Sequence, residues 1–114
     1  MSGITTHVLD TARGRPAAGV PVTLCLRAPG GAWQHLADGL TDDDGRARGL
    51  VRDPSTMAAG VYRITFDTAT YFAANDIDGF YPEASVVFTV SDPAQHFHVP
   101  LLLSPSGYST YRGS

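Results

Sequence analysis

Cysteine is almost missing from this chain: Cys25 stands alone among 114 residues. A single thiol excludes an internal disulfide and a cysteine-cluster metal site, and it agrees with a reducing compartment. Inside an apolar run it reads as a small buried hydrophobe of a strand. Basic residues are also few, eight scattered from Arg13 to Arg112 in a chain of net charge −3, so there is no basic stripe for nucleic acid. Long apolar runs are absent too, and no stretch approaches the ~20 residues of a membrane span. Met1 to His7 lacks a basic start followed by an apolar run, which is what an export signal requires. These absences leave a cytoplasmic protein that meets neither nucleic acid nor membrane. The length fits one domain, 1–114, able to bury roughly two-thirds of its unfolded surface.

What is present reads as short strands between turn signals. Ile4 to Asp10 is β-branched and alternating, and Arg13-Gly14-Arg15-Pro16 with Ala17-Ala18-Gly19 leads to a second strand, Val20 to Leu26. Pro21 lacks an amide donor and belongs at a strand start or an edge. A third strand runs from Ala32 to Leu40 behind the turn at Pro29-Gly30-Gly31. Thr41-Asp42-Asp43-Asp44-Gly45-Arg46 is a tight turn in which Gly45 supplies positive φ. In Val61 to Asp67, Tyr62, Ile64 and Phe66 share one face, which makes it the clearest half-buried strand. Thr68 to Asn75 lacks that alternation and is predicted to be a short helix capped by Thr68 or Asp67. Glu83 to Val90, Gln95 to Leu103 and Tyr108 to Arg112 complete the strands. Seven or eight strands and one helix predict a mainly β protein, an antiparallel sandwich of two sheets.

Alternation also places the chemistry. In Gln95 to Leu103, Phe97, Val99, Leu101 and Leu103 supply core, while His96 and His98 look out from the opposite face. Either imidazole can accept and return a proton near pH 7. Two solvated strand histidines are the bland alternative, and a zinc pair is a third; zinc needs further ligands from His7, His35 or a carboxylate, and no spacing supplies them. His7 sits on a strand face with Thr5 and Leu9. Arg46 follows three aspartates and reads equally well as a charge that balances them. Those aspartates do not make a calcium loop, because the glycine falls too early and no glutamate occupies the twelfth position. The aromatic and charged tail Tyr108-Ser109-Thr110-Tyr111-Arg112-Gly113-Ser114 points to a terminus that is tied down.

Four separated segments together resemble the 5-hydroxyisourate hydrolases, a transthyretin-related family. They are Thr5-Thr6-His7-Val8-Leu9-Asp10-Thr11 with Gly14-Arg15-Pro16-Ala17; Thr41 to Arg46; Phe80-Tyr81-Pro82-Glu83; and His96 to Pro105 followed by Tyr108 to Ser114. The resemblance runs nearly end to end. Its most specific piece is the terminal Tyr111-Arg112-Gly113-Ser114, which separates the hydrolases from the hormone-carrying transthyretins. Phe97 stands where the family often has Tyr, and Asp42 where Asn is common.

The resemblance implies a transthyretin-like sandwich whose dimers stack into a homotetramer, with sites in the clefts between dimers. It implies ring-opening hydrolysis of 5-hydroxyisourate at a lactam bond, without metal or cofactor, giving 2-oxo-4-hydroxy-4-carboxy-5-ureidoimidazoline. His7, Arg46, His98 and Ser114 carry over as catalytic residues, and His7, Arg46, Tyr111, Arg112 and Gly113 as substrate contacts. In that reading His98 deprotonates the water, a role worth about 10²-fold to 10⁴-fold. Arg46 meets the oxyanion or the ring oxygens. His7 either donates a proton to the leaving nitrogen or fixes the ring, and Tyr111 and Ser114 orient substrate and a histidine. The rival from another class is a carrier that holds an apolar small molecule in the same cleft without catalysis.

Overall fold

Period-two burial carries through almost every strand of the computed structural model, which describes residues 3–114. Met1 and Ser2, part of the expected 1–114 domain and of the segment read for an export signal, lie outside the described residues. The elements in chain order are β1 (Gly3–Asp10), β2 (Arg15–Pro16), β3 (Pro21–Arg27), β4 (Trp33–Leu40), β5 (Arg46–Ala47), a single 3₁₀ turn (Pro54–Thr56), β6 (Gly60–Phe66), α1 (Thr68–Ala74), β7 (Ala84–Val90), β8 (His96–Ser104) and β9 (Gly107–Thr110). One sheet has the order β2-β1-β8-β9, with β5 also paired to β1; the other has the order β4-β3-β6-β7. Among the described residues no helix is long and apolar enough to cross a membrane.

The predicted sandwich with one short helix is the observed fold. Pro21 opens β3, as its missing amide requires. The core lies between the sheets, where Ile4, Val8, Leu101 and Leu103 of the first meet Leu24, Tyr62, Ile64 and Phe66 of the second, all 2% exposed or less. Tyr62 is buried without penalty because its hydroxyl donates to the carbonyl of Ala58 at 2.6 Å. Cys25 is buried in β3, as expected of a lone apolar cysteine.

Asp67 is the helix cap, accepting from the amide of Thr70 at 3.1 Å and its hydroxyl at 2.7 Å. Tyr71 ties the helix to the end of β1 by donating to the buried carboxylate of Asp10 at 2.7 Å. Burial pushes the Tyr71 hydroxyl pKa upward, and the Asp10 carboxylate adds to the effect.

Beyond the two-residue strands β2 and β5, which the sequence reading did not include, two features depart from it. First, β1 and β8 run parallel, from Gly3↔His96 to Asp10↔Leu103, while every other strand pair is antiparallel. A parallel pair needs a long crossover, and here the whole intervening chain provides it. Second, the last strand ends at Thr110 rather than Arg112. Pro100, in the middle of β8, has no amide to offer, and the β8–β9 ladder runs only from Ser104 to Leu101. The tail leaves the ladder there and returns as an isolated bridge between Gly113 and His98.

The turn before β5 has no slack. Gly45 sits at φ +78, and a Cβ there would stand 2.3 Å from the carbonyl oxygen of Val8 and 3.0 Å from Cβ of Pro16. Its own carbonyl accepts from the amide of Val8 at 2.7 Å. Gly45→Ala must therefore push β5 off β1, at a cost of about 2–3 kcal/mol from strain and lost pairing. Thermal unfolding followed by circular dichroism is expected to show a midpoint about 10 °C lower. An unchanged midpoint would refute the close packing of this turn.

Candidate active site

Three neighbouring strands of the first sheet, β5, β1 and β8, bring the sequence-singled residues onto one outward face. Ile4, Thr6 and Val8 point into the core, so Thr5, His7 and Leu9 must point out. On β8 the same parity buries Phe97, Val99 and Leu101 and turns His96 and His98 outward. His7 stands directly across the antiparallel β1–β5 pair from Arg46, and Thr5 stands across the parallel pair from His98. Directly opposite residues on one face have Cβ atoms about 5 Å apart and diagonal ones about 7–8 Å; the charges of Arg46 and His7 both bear on His98, so the three form one cluster.

Each ring is fixed by a specific bond. His7 Nε2–H donates to the carbonyl of Asp44 at 2.7 Å. A carbonyl only accepts, so the neutral His7 ring carries its proton on Nε2 and keeps Nδ1 as an acceptor. The Thr5 hydroxyl oxygen lies 2.8 Å from His98 Nδ1 and 2.9 Å from His96 Nε2, bonding both. His98 thus retains Nε2 for a reactant. Burial pulls the His98 pKa below its ordinary value, and the positive charge of Arg46 and the neighbouring His7 and His96 pull it the same way. At pH 7 the ring is neutral, the form that accepts a proton.

Arg46 is not the counter-ion of the three aspartates. Asp42 Oδ1 accepts from the amides of Asp44 (2.9 Å) and Arg46 (3.0 Å), and its Oδ2 accepts from Arg48 at 3.0 Å. The backbone amide of Arg46 is the main reason the Asp42 carboxyl lies below its usual pKa. With Asp42 taken by Arg48, the Arg46 guanidinium has no ion-pair partner among the described residues. It is a half-buried cation on the face that carries the two histidines.

The tail reaches the cluster unevenly. Gly113 donates its amide to the carbonyl of His98 at 2.9 Å, and a Cβ on it would lie 2.6 Å from His98 Cδ2, so only glycine lets the chain end lie against the imidazole. Arg112 is already engaged: its guanidinium lies 4.9 Å from the Phe97 ring centroid and donates to Gln95 at 3.1 Å. Tyr111 is 56% exposed and lines a hollow of about 220 Å³ with Val87, Phe88, His98 and Arg112. No side-chain hydrogen bond of Tyr111 or Ser114 is formed among the described residues, so within one chain neither is joined to His7, Arg46 or His98.

Among the described residues no three His, Cys, Asp or Glu side chains gather as a metal-holding group. His35, considered as a further ligand, lies on β4 of the other sheet and pairs with Asp38 at 3.1 Å. Sequence reasoning missed Thr5. Its parity with His7 was visible, but its position between His96 and His98 depends on a parallel pairing that no local pattern announces.

Residues 4–113 match the family model described as the HIUase/Transthyretin family. The chain is 49% identical over 114 residues to a 5-hydroxyisourate hydrolase of Mus musculus, covering 99% of this chain and 96% of that protein. The solved 5-hydroxyisourate hydrolase of Klebsiella pneumoniae superposes with a TM-score of 0.85 at 36% identity, over 100% of this chain and 94% of that one. Sea bream transthyretin in complex with thyroxine superposes with a TM-score of 0.90 at 32% identity, over 96% and 93% of the two chains. The chain belongs to the HIUase/Transthyretin family.

Proposed function

We propose that this chain hydrolyses 5-hydroxyisourate to 2-oxo-4-hydroxy-4-carboxy-5-ureidoimidazoline in urate breakdown, as a cytoplasmic, metal-independent enzyme formed by a single domain over 1–114. The observation that carries this reading is the joint placement of Arg46, His7 and His98 on one sheet face, with the chain end packed on His98. An apolar-ligand carrier has no use for an unpaired guanidinium beside two fixed imidazoles. The carrier reading draws its own support from the likeness to a transthyretin solved with thyroxine, and it predicts binding without turnover.

In the hydrolytic reading, neutral His98 takes a proton from the attacking water at Nε2, since Nδ1 is bonded to Thr5. Arg46, always charged and without a carboxylate partner among the described residues, stabilises the oxyanion that develops on the lactam carbonyl. His7 offers Nδ1 as an acceptor, which suits fixing a ring N–H of the substrate; donating a proton to the leaving nitrogen would require its imidazolium form. Tyr111, Gly113 and Ser114 close the site from the chain end. Arg112 serves it through its grip on Phe97 and Gln95, which holds the tail in place.

We place the complete site between subunits of a homotetramer. A single sandwich leaves the cluster on an open face, and Tyr111 and the sheet-edge residue Val87 remain more than half exposed. Light scattering is expected to give about four times the 12.1 kDa chain mass. An active monomer would overturn this placement.

Following 5-hydroxyisourate decay, with spontaneous hydrolysis subtracted, tests the activity. Chelator-treated protein is expected to accelerate it fully, whereas loss of activity restored by zinc would sink the metal-free mechanism. His98→Ala should cost about 10²-fold to 10⁴-fold in kcat. His35→Ala, in the exposed pair on the other sheet, should cost nothing measurable.

The pH dependence has a definite sign. A base is lost as pH falls through its pKa, and the His98 pKa is depressed, so the acid limb of kcat/KM should lie below the ordinary histidine value of about 6.5. Arg46→Gln removes one of the charges that depress it, so the limb should move to higher pH on top of a general loss of rate. A limb that stays put in that variant would detach the profile from His98.

Deleting Tyr111 to Ser114 leaves the β8–β9 ladder intact, because that ladder ends at Thr110. The truncated chain should stay folded and lose about 10²-fold in rate, the usual consequence of a misplaced substrate. Full-rate turnover by the folded truncation would remove the tail from the site.

A further inference from the structure

A hydroxyl carries one proton, and the Thr5 hydroxyl faces two ring nitrogens at 2.8 and 2.9 Å. It can donate to only one of them, so at most one of the two rings can face Thr5 with a bare nitrogen and the other must present N–H, which couples the tautomers of His96 and His98. Burial is graded along the same line: His98 is half-buried and His96 exposed.

We propose that Thr5 and His96 form a proton relay behind His98, in which Thr5 is a positioning residue that locks the two tautomers together and His96 exchanges the proton with solvent. The inference rests on His98 acting as the base. In the resting arrangement His98 Nδ1–H donates to Thr5, the Thr5 hydroxyl donates to His96 Nε2, and His98 Nε2 is free for water. As water attacks the lactam carbonyl, one of its O–H bonds breaks and its proton bonds to His98 Nε2. The Nδ1 proton passes to Thr5, the Thr5 proton passes to His96 Nε2, and His96 releases its Nδ1 proton to solvent. The balance leaves three neutral groups, with His98 now protonated on Nε2. When that Nε2 proton moves to the leaving nitrogen as the C–N bond breaks, the relay runs backwards and His96 regains a proton from solvent. One residue thereby serves as base and then as acid.

The surroundings favour such a drain. Arg46 on β5, His7 on β1 and His96 on β8 all oppose a positive charge on His98, as does its burial. Passing a proton on to exposed His96 and from there to solvent avoids leaving a positive charge on the half-buried ring. His7 does not compete for the wire, because its Nε2 proton is held by the Asp44 carbonyl.

The test has an arm that needs no substrate. Protonated His96 donates through Nε2 to Thr5, which frees the single Thr5 proton for His98 Nδ1 and so favours the Nε2–H tautomer of His98. Long-range ¹H–¹⁵N spectra of the substrate-free protein are therefore expected to show His98 changing tautomer as His96 titrates. In the near-isosteric Thr5→Val the two rings should uncouple, and in Thr5→Ser the coupling should return. In turnover, Thr5→Val should lose about 10-fold to 10²-fold in kcat with an altered pH profile, and Thr5→Ser should restore the profile. His96→Ala should lose rate in dilute buffer and recover it with added imidazole. A His98 tautomer indifferent to His96 titration in the wild-type protein would overturn the relay, and so would Thr5→Val turning over with wild-type kcat and pH profile. If the wild-type protein fails to hydrolyse 5-hydroxyisourate, the proposed function falls, and the spectra still decide the relay.

Discussion

The parallel pairing of β1 with β8 is the constraint on which the rest of the molecule depends. It joins strands whose partners lie 93 residues apart, Gly3↔His96 through Asp10↔Leu103, so the whole chain must be in place before it can form. Loop closure over that distance is entropically costly, and the pair is stabilised by what it buries on its inner face. Ile4 and Val8 on β1, with Phe97, Leu101 and Leu103 on β8, are nearly inaccessible to water. Between them the buried Thr6 hydroxyl donates to the Val99 carbonyl at 2.5 Å, tying one strand to the other. A slip of one residue would put the histidines in the core and the core residues in water. The register that makes the hydrophobic interior is thus the same register that sets Thr5 opposite His98.

Electrostatics on the outer face follow from where the acids are spent. Eleven acidic residues face eight basic ones in this chain, and a surface arginine beside three aspartates would ordinarily be neutralised. Here Asp42 uses one oxygen to close the turn and the other to hold Arg48. Arg46 is left as a half-buried cation whose charge bears on His98. An exposed ion pair contributes little to stability, so the loss to the fold is small, and the Arg46 charge stays on the face that carries His7 and His98.

The legible and illegible parts of the sequence divide by range. Period-two alternation identified Tyr62, Ile64 and Phe66 as one buried face of β6 and set His98 on the face opposite Phe97, because side-chain direction in a strand is a local property. The cap of α1 and the glycine of the Asp42 turn were legible for the same reason, each being decided by a few adjacent atoms. Three features were not. The two-residue strands β2 and β5 have no period to read and exist only because β1 offers them partners. The early end of β9 depends on Pro100, a residue of another strand. The link from Thr5 to His96 and His98 depends on a parallel partner 91 and 93 residues away. Arg112 illustrates the complementary case: the tail motif marked it for the site, while its side chain spans Phe97 and Gln95.

A carrier and a hydrolase share this sandwich, so the backbone cannot be what separates them. The difference has to reside in side chains whose parity is outward, since inward positions answer to packing alone. On this face four of those positions, Arg46, His7, His96 and His98, hold ionisable groups in adjacent strands, and Gly113 folds back against one of them. Gly113 permits that return, because any larger residue would collide with the His98 ring. A backbone bond at Gly113 and Arg112 on the Phe97 ring hold this tail in place, so its ordering is already met by contacts within the chain. The Tyr111-Arg112-Gly113-Ser114 segment thus has a physical account: its glycine admits the tail, its arginine anchors it, and its tyrosine and serine form no side-chain hydrogen bond among the described residues.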